Sequence, residues 1–192
     1  SIFAGGYSMP GQSHVNSMEY VTIASTGDGV DFGDLPEEKR VGFSGSSPTR
    51  GIYAGGRSPG TWYNSISYLT ISTLGNAADF GDLTVARSNH ASSITNAVRM
   101  VMPGSIISPG GSHNVTIDYI TMATLGDAID FGDQSGGQQA SASVSSPTRG
   151  VCFIGASETG NTLEYIQIMT TGNAINFGDL SAARRVYSAC SN

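Results

Sequence analysis

Val-Asp-Phe-Gly-Asp at residues 30–34 is the stretch that decides the fold, because the chain contains nearly the same phrase three more times. The other copies are Ala-Asp-Phe-Gly-Asp at 78–82, Ile-Asp-Phe-Gly-Asp at 129–133 and Ile-Asn-Phe-Gly-Asp at 175–179. The four phenylalanines are 48, 51 and 46 residues apart. Self-similarity at such a period is typical of a solenoid, a propeller or another array of repeats. A residue present in every copy is therefore expected to build the repeat, and a residue present in one copy is the better candidate for binding.

Each copy has the pattern of short strands joined by tight turns. Residues 66–71 of the second copy show the period-two alternation of a strand. Gly75-Asn76 follows, and glycine beside Asn or Asp supplies the positive φ that a tight hairpin turn requires. No helical stripe of useful length is present in the sequence. We therefore predict a single all-β domain over residues 1–192, built from four repeats.

The order of the strands resembles that of the kelch repeat, in which an arginine, a double glycine, a tyrosine and a large aromatic residue follow one another. The matching residues are Arg40, Arg87 and Arg184, the pairs Gly5-Gly6 and Gly55-Gly56, Tyr20, Tyr68, Tyr119 and Tyr165, and the four phenylalanines. The third and fourth copies depart from the pattern at Met102-Pro103-Gly104, Gly155-Ala156 and Gln138. The resemblance implies a four-bladed kelch-like β-propeller with four antiparallel strands per blade. It implies no particular function.

The two ends of the chain match complementary strands of one blade. Residues 2–6 correspond to a second strand, and residues 186–190 correspond to a first strand. We expect the C-terminal strand to pair with the N-terminal blade, because closure leaves no unpaired sheet edge. In a closed ring the four phenylalanines occupy equivalent buried positions. The alternative is that the chain is a part of a longer repeat protein, in a larger ring or an assembly.

The composition argues against several classes of partner. Charged residues are only 12% of the chain, the net charge is −6, and Lys39 is the single lysine. Binding to nucleic acid or to an anionic membrane needs clustered Lys and Arg, and no such cluster is present. No apolar run approaches the roughly 20 residues of a membrane span. We therefore expect no nucleic acid and no membrane insertion. Cys152 and Cys190 form neither a disulfide framework nor a metal motif, and we expect both to be buried.

The acidic residues and histidines do not form a recognisable metal or catalytic site. The aspartates recur in every copy, so we expect them to bond turn amides and the repeated arginines. Calcium is the weaker alternative, because it needs several oxygen ligands converging from one loop. His14, His90 and His113 are too scattered to supply the three ligands of a catalytic zinc. No nucleophile elbow and no pair of acids outside the repeat is present. We predict no metal, no cofactor and no catalytic residue.

The loops between the second and third strands differ most from copy to copy, at residues 7–15, 57–63, 105–113 and 157–160. Variable loops on a rigid frame are where binding usually resides. The candidate ligand- or partner-binding residues are Trp62, Tyr63, Arg57, His14 and His113. Trp62 is the single tryptophan, and an exposed aromatic ring beside Arg and amide groups suits a sugar, which has an apolar face and hydroxyls. The alternative is that Trp62 packs over its own blade.

Runs such as residues 73–87 and 188–192 are similar to repeats in structural and tail-fibre-like proteins of marine cyanophages. This resemblance implies a non-enzymatic structural or adhesive module of a phage virion, in a tail fibre or surface appendage, and hence an extracellular location. Its partner would be a host-surface glycan or a neighbouring virion protein, and the sequence leaves homo-oligomerisation open. One alternative is a free-standing lectin-like carbohydrate-binding domain, and another is an enzyme with its site on the loop face.

Overall fold

The protein is all-β. The computed structural model describes residues 1–9, 11–88, 93–107, 112–137, 142–154, 160–183 and 189–191. Within these ranges the chain forms twenty strands and no helix, and the strands make six antiparallel sheets. Among the described residues there is no helix of the length and apolarity that a membrane span needs. The all-β class predicted from the repeat is therefore confirmed.

Four of the sheets correspond to the four copies of the repeat, and we call them units 1 to 4. Unit 1 contains β1 (Ile2–Ser8), β2 (Ser13–Tyr20) and β3 (Val30–Asp34). Unit 2 contains β4 (Phe43–Ser46), β5 (Arg50–Ala54), β8 (Ser65–Thr70) and β9 (Ala78–Asp82). Unit 3 contains β11 (Ile94–Thr95), β12 (Arg99–Met102), β15 (Thr116–Thr121) and β16 (Ile129–Asp133). Unit 4 contains β17 (Ser143–Ser145), β18 (Arg149–Ile154), β19 (Thr162–Gln167) and β20 (Ile175–Asp179).

The two remaining sheets are small ribbons formed by loops. The first pairs β6 (Arg57–Ser58) with β7 (Thr61–Trp62). The second joins β10 (Arg87–Ser88), β13 (Ile106–Ile107) and β14 (Ser112–His113). In every unit the strands lie side by side in chain order. Units 2 to 4 each have four strands, as predicted, and unit 1 has three within the described residues.

The phenylalanine in the last strand of each unit lies at a break in the strand register. These strands are β3, β9, β16 and β20. In unit 1, Gly33 is opposite Met18 and Asp31 is opposite Glu19, so Phe32 lies between two paired positions. The same shift occurs in the other three units. An extra residue in one strand is left unpaired in the hydrogen-bond ladder, and it increases the local twist of the sheet. A tyrosine of the adjacent strand meets each phenylalanine edge-on, with ring centroids 5.9 to 6.3 Å apart.

The last strands of units 1, 2 and 3 are each bonded to a turn of the next unit. Phe32 O accepts a hydrogen bond from Gly75 N and Asp34 O accepts one from Ala77 N, both at 2.8 Å. The side chain of Asn76 completes the contact, because its Oδ1 accepts from Asp34 N at 3.0 Å. The same three bonds join unit 2 to unit 3 and unit 3 to unit 4. The repeated phrase and the repeated Gly-Asn or Gly-Asp turn are therefore the two halves of one interface.

The glycine of the phrase is required by this interface. At Gly33 the φ angle is +138°, and a Cβ would lie 2.5 Å from the carbonyl carbon of Gly75. Gly81 and Gly132 approach the next turn just as closely. A side chain is excluded there both by the backbone conformation and by the lack of space. At the equivalent Gly178, no atom lies within 4 Å of where a Cβ would be, since in the described part of the chain no turn lies against unit 4.

The phenylalanines become buried by packing against the following unit. Phe80 belongs to an apolar cluster that includes Met122 and Ala128 of unit 3. Phe32 and Phe131 are buried in the same way against units 2 and 4. Phe177 is 51% exposed. The prediction of four equivalent buried phenylalanines is therefore correct for three of them and wrong for Phe177, which no following unit covers among the described residues.

The opposite face of unit 1 is exposed as well. Ile23 is 84% exposed. The residues that also stand three positions after the repeated tyrosine are better covered, since Ile71 is 38% exposed and Met122 and Ile168 are buried. The predicted closing strand, residues 186–190, lies mostly outside the described residues, so its pairing with residues 2–6 stays a prediction. Among the described residues, the outward faces of units 1 and 4 are therefore exposed.

Replacing Phe80 by Ala should lower the free energy of unfolding by about 3–5 kcal/mol, the usual cost of deleting a core phenylalanine. The reason is that its ring fills the space between units 2 and 3. Leu125→Ala, on an exposed turn of unit 3, is the control and should change stability by less than about 0.5 kcal/mol. Urea denaturation measures both values. Equal losses in the two variants would contradict the assignment of Phe80 to an interface core.

Candidate functional site: a cleft between units 1 and 2

A cleft of about 350 Å³ opens between the turn that joins β1 to β2 and the β6–β7 ribbon of unit 2. The residues on which its chemistry depends are Tyr7, Gln12, His14, Arg40, Arg57 and Trp62. A larger groove of about 720 Å³ lies elsewhere, between β1 and strands β4 and β5, and its lining is mostly small and apolar residues. The cleft combines aromatic and cationic side chains, so it is the better candidate for a ligand site.

The β6–β7 ribbon holds the single tryptophan against an arginine. Pro59 and Gly60 form the turn of the ribbon, and Gly60 has a φ of +76°, a combination that tight turns favour. The turn places Arg57 directly opposite Trp62 in the two strands. The guanidinium carbon lies 5.6 Å from the centroid of the Trp62 ring, within the range of a cation–π interaction. Trp62 is half-buried, so part of its ring remains open to the cleft.

A second arginine faces Arg57 across a short backbone bridge. The backbone N–H groups of Arg40 and Arg57 each donate to the carbonyl of the other, both at 3.0 Å. The Arg40 guanidinium lies 4.9 Å from the centroid of the Tyr7 ring. Tyr7 in turn packs edge-on against the buried His14, with ring centroids 5.4 Å apart. The cleft therefore contains two guanidinium groups, each within cation–π distance of an aromatic ring.

The backbone beside the cleft adopts unusual conformations. Gln12 and Val41 have φ values of +47° and +54°, and they are the two non-glycine residues with positive φ in the described ranges. For a β-branched residue such as Val41 this conformation is an outlier, with a cost on the order of 1–3 kcal/mol. Gln12 lines the cleft, and Val41 directly follows Arg40. The surrounding structure therefore holds both positions against their backbone preference.

A buried lysine lies in the junction behind the cleft. Lys39 is fully buried, with Nζ 2.9 Å from Ser65 Oγ and 3.0 Å from a carboxylate oxygen of Glu37. Its ammonium nitrogen lies between two rings, 5.4 Å from the centroid of Tyr53 and 5.5 Å from that of Tyr63. Burial lowers the pKa of Lys39, and Glu37 acts in the opposite direction. The group is therefore a structural cation of the interior, out of reach of a ligand.

Lys39, and not Arg40, occupies the place of the repeated arginine. Gly6 N donates to Lys39 O and Gly56 N donates to Arg87 O, both at 3.0 Å, so Lys39 and Arg87 are equivalent. Arg87 is fully buried and pairs with the equally buried Asp118 at 3.0 Å. Burial lowers the pKa of Arg87, and Asp118 partly offsets this effect. The sequence match of Arg40 to Arg87 was wrong by one residue, and Arg40 is thereby available to the cleft.

The structure brings together three of the five predicted site residues, Arg57, Trp62 and His14. His14 lies in strand β2, not in a loop, and is buried. Tyr63 lies beneath the ribbon, where its hydroxyl is 3.0 Å from Ser58 Oγ.

His113 is not among the residues that line the cleft. It is exposed in β14, where it pairs with Ile106 of the other ribbon. The sequence reasoning missed Arg40, although a signal was present, because Lys39-Arg40 places two cations where the second copy has one.

The repeated aspartates follow the prediction only in part. Asp130 Oδ1 accepts a hydrogen bond from Gly132 N at 3.2 Å, but both residues lie within strand β16 and not in a turn. The aspartate that pairs with an arginine is Asp118, which lies outside the repeated phrase. Among the described residues no group of three His, Cys, Asp or Glu side chains has a geometry that could hold a metal ion. His90 lies outside the described residues.

The two cysteines differ in exposure. Cys152 is buried, and burial raises the pKa of its thiol to about 12. Cys190 is exposed, so the expectation that both cysteines are buried was wrong for Cys190.

Comparison with known proteins gives a fold and no family. No protein-family model matches the sequence, and no curated protein matches it. Among solved structures the chain is similar to YjhT, with a TM-score of 0.70 at 8% identity, over 88% of this chain and 61% of that chain. At this identity the likeness shows the fold alone. The chain thus spans less than two thirds of the length of that neighbour.

The stability of the protein should depend on pH through Lys39, an effect seen as the difference between the parent and Lys39→Met, because both proteins share the opposite contribution that Cys152 makes above about pH 9. Its pKa in the folded state is below the ordinary value of 10.5, so between the two values the unfolded chain binds more protons and stability rises with pH. Well below the lowered pKa, Lys39 is protonated in both the folded and the unfolded state, and its contribution to stability does not change with pH. Lys39→Met should abolish the rise. Urea denaturation of both proteins should be compared below about pH 9.5, where tyrosine remains protonated. Parallel stability curves for the two proteins would show that Lys39 does not carry the dependence.

Proposed function

We propose that the chain is a non-enzymatic β-propeller module that binds a host-surface glycan, as an adhesive part of a phage virion. The observation that carries the proposal is the cleft in which Trp62 and Tyr7 stand beside Arg57 and Arg40. The virion setting, in a tail fibre or surface appendage, rests on the resemblance of the repeats. A free-standing lectin-like domain would use the same cleft.

The chemistry of the cleft suits a sugar. One face of a sugar ring is apolar and packs on an aromatic ring, while its hydroxyls need donors and acceptors. Trp62 and Tyr7 provide the rings, and Gln12 and Ser58 provide polar groups. The volume of about 350 Å³ lies at the lower end of the roughly 300–1,000 Å³ usual for small-molecule sites. One or two sugar residues are therefore the appropriate ligand.

The lining of the cleft favours binding over catalysis. Glycoside hydrolysis in most families needs a pair of carboxyl groups on either side of the scissile bond. None of the described residues that line the cleft is Asp or Glu. This composition supports a module that holds a glycan without cleaving it, and it weighs against the enzyme alternative.

We also propose that the four units close into a four-bladed propeller. The three observed interfaces show which atoms a fourth would use, namely Gly27 N donating to Phe177 O and Gly29 N donating to Asp179 O. Both halves of this fourth interface are present and exposed, including Phe177 and Ile23. Their complementarity supports closure.

Contacts between the first strands of neighbouring units supply further support for closure. Ser145 Oγ donates to Thr95 O at 2.9 Å, and Ser191 Oγ donates to Ser145 O at 3.0 Å. Ser191, near the end of the chain, thus contacts the first strand of unit 4 in the way that this strand contacts the first strand of unit 3. Within the described residues β1 pairs only with β2, and its residues line the groove of about 720 Å³. A strand formed by residues 186–190 would supply hydrogen-bond partners for the unpaired edge of β1.

Phe177→Ala tests closure. In a closed ring the Phe177 ring is buried against unit 1, and its removal should lower the free energy of unfolding by about 3–5 kcal/mol, as for any core phenylalanine. Phe80→Ala is the positive reference and Leu125→Ala the negative one. A loss as small as that of Leu125→Ala would mean that the two end faces do not meet.

Trp62→Ala tests the proposed function. Loss of the aromatic platform should weaken glycan binding by about 2 kcal/mol, roughly 30-fold, as expected of a binding hot spot. The measurement is affinity for the best ligand of a glycan array and attachment to host cells, with Leu125→Ala as control. The melting temperature should be unchanged, because the ribbon contributes little to the core. A parent protein that binds neither glycans nor host cells, or a Trp62→Ala variant that binds like the parent, would refute the proposal.

A further inference from the structure

We infer that the paired guanidinium groups of Arg40 and Arg57 in the cleft bind an oxyanion, so that the ligand is an acidic sugar carrying a carboxylate or a sulfate. This inference rests on the proposed function, because it names the class of glycan that the same cleft takes.

The two arginines are arranged to bind one anion. The reciprocal backbone hydrogen bonds at 3.0 Å fix Arg40 and Arg57 as neighbours. Each guanidinium carbon lies over a ring, that of Arg40 4.9 Å from the centroid of Tyr7 and that of Arg57 5.6 Å from the centroid of Trp62. A guanidinium carries five N–H donors in a planar fork, and this fork matches the geometry of carboxylate and sulfate oxygens. The side chains are therefore ordered before a ligand arrives.

No protein carboxylate neutralises this pair within the described residues. The ion pairs of the described chain are Lys39 with Glu37 and Arg87 with Asp118. Arg40 Nε is buried and has no hydrogen-bond partner, and a buried donor without a partner costs free energy. The chain as a whole carries a net charge of −6. Two unpaired cations in one cleft of an acidic protein are thus a local site for negative charge.

The backbone supports the same assignment. Val41 holds a φ of +54° immediately after Arg40, and Gln12 holds +47° in the turn across the cleft. Such strained positions concentrate at ligand sites, where the surrounding structure maintains them. Here the strain lies at the two segments that place Arg40 and the Gln12 amide around the cleft.

A sugar is favoured over an acidic peptide by the rings. The open part of Trp62 offers a flat apolar surface next to the guanidinium of Arg57, which suits a pyranose that carries its acidic group at one edge. An acidic side chain of a peptide would pair with the arginines but would leave that surface uncovered.

The test compares matched ligands by calorimetry at low and at physiological salt. The probes are methyl glucoside, methyl glucuronide and methyl glucoside 6-sulfate, together with a hexaglutamate peptide. We expect at least one acidic sugar to bind tenfold or more tightly than methyl glucoside, with an affinity that falls as salt rises. Preference for the glucuronide or for the sulfated sugar identifies the source of the anion.

Arg57→Gln and Arg40→Gln should each bring the ratio of acidic-sugar to methyl-glucoside affinity down to about one and remove the salt dependence of acidic-sugar binding. Arg149→Gln is the matched control, because Arg149 stacks on Tyr165 at 4.6 Å in unit 4, away from the cleft. The salt dependence of the parent protein keeps the test valid even where a variant unfolds.

Equal binding of acidic and neutral sugars, with no effect of Arg57→Gln, overturns this inference and leaves the proposed function standing. Tighter binding of hexaglutamate than of every sugar overturns the assignment of a sugar. Absence of any sugar binding overturns the proposed function itself, and the inference with it.

Discussion

The contact between each Asp-Phe-Gly-Asp strand and the Gly-Asn or Gly-Asp turn of the next unit is the interaction on which the rest of the structure depends. The described residues form three apolar clusters, and each of them joins residues of neighbouring units. Phe80, for example, is buried only because Met122 and Ala128 of unit 3 cover it. The stability of such an array is a sum of units and of nearest-neighbour interfaces. An end without a neighbour therefore exposes its half of the interface, as Phe177 does.

The cleft is a consequence of the same arrangement. Adjacency of units 1 and 2 brings the β1–β2 turn against the β6–β7 ribbon. Lys39 fills the junction with its ammonium between two tyrosine rings, and the next residue, Arg40, lines the opening. The repeat supplies the frame, and the departures from the repeat supply the chemistry. This division explains how a chain with 12% charged residues concentrates two unpaired arginines at one place.

Much of the fold could be predicted from the sequence because the strongest signals are local and repeated. The period of the phenylalanines, the Gly-Asn turns and the alternation in residues 66–71 all indicate the strands that are observed. The exposure of Phe177 could not be predicted, because it depends on what lies against unit 4 and not on residues within it. At the site, Trp62 and Arg57 were found from their departure from the repeat. Arg40 was missed because the paired cations Lys39-Arg40 do not show which of the two is the repeated residue, and the backbone contacts of Gly6 and Gly56 decide this.

Hydrogen exchange at the turn amides tests the central claim most directly. The amides of Gly75, Gly126 and Gly172 donate to the phenylalanine carbonyls of the preceding unit at 2.7 to 2.8 Å. If these contacts hold the units together, the amides can exchange only when an interface opens and exposes its phenylalanine. Exchange should then be as slow as that of the central strand β15, close to the rate set by global unfolding. Exchange as fast as at the exposed turn residue Gly60 would show that the turns are not part of the interface, and would contradict the account.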